Sequence, residues 1–93
     1  MTTKSVREKL AAGDYKNSQP YPQRTESFKE RRRLYNEETQ RLLEFFKQDL
    51  LKELELDGHP KANLLWNHAW DLGHASGLHE VLTYAEDLAD LLC

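Results

Sequence analysis

The sequence is short of the residues that carry most recognisable chemistry. Its 93 residues hold one cysteine, three prolines and four glycines. Cys93 is the last residue and has no partner for an internal disulfide, which fits a reducing compartment. The apolar runs are only a few residues long, far short of the roughly 20 that a membrane-spanning helix needs. Residues 1–12 contain Lys4, Arg7, Glu8 and Lys9 and no apolar core, so no signal peptide is expected. Gly13, Gly58, Gly73 and Gly77 stand alone, so there is no glycine-rich phosphate loop. Ser76 lies near His74 and His79 but has no strand-to-helix elbow to expose it as a nucleophile. No strand-like alternation or internal repeat is visible. These absences leave a single all-α domain with no recognisable catalytic machinery and no implied cofactor.

Charge is plentiful but unevenly placed. Residues 1–36 hold nine basic and four acidic residues, for +5, and residues 37–93 hold four basic and twelve acidic, for −8. Such polarity suits docking to a protein partner or head-to-tail self-association into a homodimer.

Helical spacing organises the rest. Ser5-Val6-Arg7-Glu8 reads as a capping box, opening a short helix that stops at Gly13. Residues 14–24 form a linker interrupted by Pro20 and Pro22, which bias Gln19 and Tyr21 toward extended backbone. A long helix of about 30 residues is predicted from Thr25 or Ser27, with a second capping box at Ser27-Phe28-Lys29-Glu30, to Asp57-Gly58. In its second half Leu42, Leu43, Phe45, Phe46, Leu50, Leu51 and Leu54 make a wide apolar stripe. In its first half Leu34 and Tyr35 stand among charges, so that half is expected to overhang the core. Pro60 is placed at the first position of the next helix, which ends at Gly73. Ser76 is read as the cap of a last helix with apolar residues at 78, 81, 82, 85, 88, 89 and 92. The expected architecture is a long first helix, a C-terminal helical hairpin packed on it, and a flexible N-terminal arm. The division is 1–24 for the arm and 25–93 for the helical domain.

Three constellations are candidates for function. His68, His74 and His79, with Asp71 and Glu80, bracket one corner, and zinc takes imidazole and carboxylate ligands. Their spacings of six and five match no metal motif and stack on no helical face, so a structural role at the corner is preferred to a metal-dependent enzyme. Trp66 and Trp70 share a helical face and serve either as core or as a binding hot spot. Residues 29–33, KERRR, are basic and could neutralise phosphates. The internal glutamate and an isoelectric point near 5.8 argue against a nucleic-acid factor, which stands as the alternative reading. Phe28, Arg31, Arg32, Leu34 and Tyr35 combine aromatics and arginines without an obvious cover, the composition of an interface hot spot.

One resemblance bears on this choice. His59-Pro60-Lys61-Ala62, Leu65-Trp66, Ala69-Trp70, Gly73-His74-Ala75-Ser76-Gly77 and Glu80-Val81, with Leu10-Ala11-Ala12-Gly13-Asp14-Tyr15 and Pro20-Tyr21-Pro22, resemble small proteins encoded by tailed bacteriophages and prophages. The resemblance implies a host-cytoplasm setting and carries no functional residues. It implies an accessory protein that binds and modulates, inhibition included, a host or phage protein.

Overall fold

A computed structural model describes residues 5–18 and 20–92, so the expectations for Lys4, Gln19 and Cys93 lie outside the described residues. All regular structure among the described residues is helical. The order is α1 (Val6–Ala12), α2 (Phe28–Glu53), α3 (Ala62–Gly73) and α4 (Leu78–Leu92). The hairpin is α3 packed on α4, and the long helix is therefore the second rather than the first.

The N-terminal arm is not a loose appendage, as the sequence suggested. Ser5 Oγ accepts the Glu8 N–H at 3.2 Å, the expected cap. Gly13, at φ 84°, closes α1 by directing its N–H to Leu10 O while Asp14 N–H reaches Lys9 O. A seven-residue helix does not persist in water alone. Here α2 and α4 hold it. Val6 is buried and donates its backbone N–H to Glu53 Oε2 at 3.0 Å. Lys9 Nζ lies 3.4 Å from Asp49 Oδ2, and Arg7 pairs with Glu86. Tyr15 is also buried, with its ring edge-on to Phe46 at 5.1 Å and its hydroxyl donating to Asp49 Oδ2 at 2.7 Å.

That hydroxyl gives the arm a pH signature. Burial first, then the hydrogen bond and charge of Asp49, push the Tyr15 phenol well above its ordinary value. A raised folded-state value means stability that is complete below about pH 10 and lost as pH rises beyond it. Urea midpoints should therefore fall more steeply between about pH 8 and pH 11 for the native chain than for Tyr15→Phe. Equal slopes would show that the Tyr15–Asp49 bond contributes nothing.

α2 starts at Phe28, directly after Ser27 as expected, but ends earlier than Asp57-Gly58. Ser27 makes no side-chain cap, and Thr25 O receives the Phe28 N–H instead. At the other end Glu55 takes a left-handed φ of 61°, Leu56 N–H returns to Leu51 O and Glu55 N–H to Lys52 O. The left-handed residue costs about 1–2 kcal/mol. It turns Leu56 into the core beside Leu51, and burying a leucine is worth about 1.5–3 kcal/mol. That exchange ends the helix ahead of Asp57-Gly58. The start of α3 is displaced too, from Pro60 to Ala62. His59 Nδ1 accepts the Lys61 N–H at 3.0 Å and His59 O accepts the Ala62 N–H, so residues 59–61 are a turn.

At the hairpin corner Gly73 is the last residue of α3, but its function is steric. A Cβ there would meet Val81 N at 2.7 Å and Glu80 C at 2.8 Å, both backbone, so only glycine lets α3 approach α4 this closely. Gly77, not Ser76, stands immediately before α4, with φ 114° and its carbonyl accepting from Glu80 and Val81.

The core lies where α3 and α4 meet the second half of α2, around Phe46, Leu50, Ala69, Val81 and Ala85. The apolar stripe of α2 is narrower than its sequence implied: Leu42 and Leu43 are half-buried and Phe45 is exposed. The molecule measures 52 × 32 × 23 Å with a radius of gyration of 15.1 Å, against about 12 Å for a compact chain of this length. The elongation comes from α2, whose 26 residues span about 39 Å.

Candidate partner interface

The first half of α2 is lined by the arm rather than by another helix. Asn17 Nδ2 lies 3.4 Å from Tyr35 O and 3.5 Å from Thr39 Oγ1. Tyr21 then turns its ring edge-on to both Phe28, at 6.4 Å, and Tyr35, at 5.3 Å. Pro22 beside it is buried. Phe28 and Tyr35, expected to be uncovered, are consequently half-buried under Tyr21. What stays open is Leu34, 51% exposed, and Tyr21 itself, 52% exposed. A groove beside Leu34 is lined by Pro20, Pro22, Arg31, Leu34, Tyr35 and Glu38.

Charge on this half is only partly spent. Arg33 is bonded to Glu30 at 2.9 Å and to Glu37 at 2.8 Å, one helical turn on either side. Among the described residues Arg24, Lys29, Arg31, Arg32 and Arg41 make no ion pair. The cations of α1, by contrast, are engaged: Lys9 by Asp49 and Arg7 by Glu86, while Glu53 takes the Val6 N–H. Part of the charge polarity that the sequence offers to a partner is thus satisfied inside the chain. Sequence reading missed this carboxylate cradle. The available signal was Asp49, on the face of α2 that also carries Glu53, matched to Lys9 on a helix too short to stand alone.

Trp66 and Trp70 are neither wholly core nor wholly rim. Phe46, Trp66, Trp70 and His74 follow one another with centroid spacings of 5.8, 5.8 and 5.4 Å, the first two pairs tilted and the last stacked, running from the buried centre to the surface. Both indoles are half-buried. The His74 ring lies parallel to Trp70, and its Nδ1 donates to Trp70 O at 2.8 Å.

The three histidines do not converge. His74 is committed to Trp70. His68 faces a groove at the far end of the hairpin with Lys61, Leu64 and Leu91. His79 is exposed on the first turn of α4. Among the described residues no three histidine, cysteine, aspartate or glutamate side chains are grouped to hold a metal ion. None of the described helices is long and apolar enough to cross a membrane.

These features define an all-α protein with a closed hairpin core and an open helical limb. The chain belongs to a family of unknown function (DUF8546), whose family model matches residues 4–93. No curated protein and no solved structure matches it.

Proposed function

We propose that this protein is a small non-enzymatic accessory protein of the phage type that binds and modulates a host or phage protein in the bacterial cytoplasm. The observation that carries the reading is the open first half of α2. It leaves Leu34 and Tyr21 half exposed, with Arg31, which makes no ion pair among the described residues, lining the same groove as Leu34. Exposed apolar and aromatic groups beside arginines are the usual composition of an interface hot spot. Trp66 and Trp70, both half-buried, do not line this groove.

The test is a double substitution, Leu34→Ala with Arg31→Glu. Both positions are exposed, so circular dichroism should be unchanged. Capture of the partner by immobilised protein from a bacterial lysate should fall about thirtyfold, the effect of losing a hot spot of about 2 kcal/mol. Capture at the native level would overturn the reading. A steep dependence of capture on salt, removed by nuclease, would favour the nucleic-acid alternative instead.

A further inference from the structure

The opposite side of α2 carries a second surface. At 100° per residue, Lys29, Arg32, Arg33, Asn36, Gln40, Leu43 and Lys47 fall on one stripe, turned about half a revolution from Arg31, Leu34 and Tyr35. Two depressions run along it. One is lined by Lys29, Arg32, Arg33, Asn36, Glu37 and Gln40. The other is lined by Gln40, Leu43, Glu44, Lys47 and the edges of Trp66, Asn67 and Trp70. Gln40 borders both, so they form one trough of about 27 Å at the helical rise. The stripe is in register with Leu50 and Leu54, which the core occupies further along α2. The trough is therefore the face on which the hairpin packs, continued beyond the hairpin's end.

We propose that this trough docks an acidic amphipathic helix of a partner protein. The inference rests on reading the chain as a protein-binding module and adds a second face to it. A helix is the occupant because the position is the next one in the bundle. It would follow α2 for about five turns and meet the hairpin at the tryptophans. Its chemistry follows from the lining. Lys29, Arg32 and Lys47 make no ion pair among the described residues, while Arg33 has already taken Glu30 and Glu37, and Glu44 receives a hydrogen bond from Gln48. A facing helix with carboxylates opposite Lys29 and Arg32, and a leucine or two opposite Leu43, Trp66 and Trp70, is complementary along its length. A basic helix meets Lys29 and Arg32 at that end, where the one carboxylate of the lining, Glu37, is already taken by Arg33.

The chain has two tryptophans, and both border the trough, so intrinsic fluorescence reports its occupancy directly. The probes are two tryptophan-free synthetic helices of about 21 residues, one built of leucine and glutamate and one of leucine and lysine. A 20-base-pair DNA duplex serves as competitor. The acidic helix should change tryptophan emission saturably and bind at least tenfold tighter than the basic one. Lys29→Glu with Arg32→Glu, both exposed and remote from the core, should remove that preference. Leu34→Ala with Arg31→Glu, on the other side of α2, should leave it intact, which separates this proposal from the preceding one. Equal response to both helices, a preference that survives Lys29→Glu with Arg32→Glu, or effective competition by the duplex would overturn it. So would a doubling of mass in solution abolished by the same two substitutions, which would assign the trough to a second copy of the chain.

Discussion

Chains beginning at residue 24 are expected to unfold at far lower urea concentration than the full chain, or to lose their cooperative transition altogether. In sequence, residues 1–23 are polar, proline-interrupted and poor in apolar area. In the fold they supply Val6, Tyr15 and Pro22 as buried residues and Leu10 as a partly buried one. Burial of Val6 and Tyr15 is worth about 1.5–3 kcal/mol each, so their joint loss removes at least about 3–4 kcal/mol. Domains of this size have only about 5–15 kcal/mol in total. Deletion also strips Asp49, Glu53 and Glu86 of Lys9, the Val6 N–H and Arg7, respectively. Far-ultraviolet circular dichroism across a urea titration decides the matter. A truncated chain with native helicity and a native midpoint would show that these contacts are incidental.

Phe46→Ala is the single substitution expected to cost most, about 3–5 kcal/mol. Its ring is wholly buried and sits between Tyr15, at 5.1 Å, and Trp66, at 5.8 Å. Removing it empties the contact between the arm, α2 and α3 at once, and little can relax to fill the space. Tyr15 loses its edge-to-face partner, and Trp66 should become more exposed, shifting its emission to the red. Equilibrium unfolding followed by tryptophan fluorescence measures both effects. A loss below about 1 kcal/mol would mean that the three rings are not packed against one another.

How far the sequence foretold this structure depends on which physics governs each part. The last helix was legible because Val81, Leu82, Ala85 and Ala89 repeat at three and four residues, and a stripe that clean has one way to be buried. The hairpin followed from it. Helix ends were poorly legible because they are settled by exchanges that local pattern does not show. Leu56 reaches the core only if Glu55 adopts a left-handed backbone, and His59 diverts the chain before Pro60 can start a helix. Gly73 was placed correctly at the end of its helix, but its reason, the backbone of Val81 less than 3 Å from a notional Cβ, exists only in three dimensions. The arm was misjudged because a tyrosine in a polar strip gives no sign of where it lands; Tyr15 finds Phe46, 31 positions away. The same limit applied to the interface. Composition singled out Phe28 and Tyr35, yet Tyr21 covers them, and it grouped Arg31 with Arg32, which lie on opposite sides of α2: Arg31 beside Leu34, Arg32 on the side where Trp66 and Trp70 also lie.

The length of α2 has a hydrodynamic consequence. A body of 52 × 32 × 23 Å drags more than a sphere of the same mass, and it reorients more slowly end over end than about its long axis. In gel filtration a single copy should therefore elute ahead of compact standards of 10.9 kDa and imitate a larger species. Light scattering or sedimentation equilibrium, which weigh the particle without reference to its shape, are the measurements by which its state of association has to be judged. In nuclear relaxation the amides of α2, aligned with the long axis, should report a longer apparent tumbling time than those lying across it.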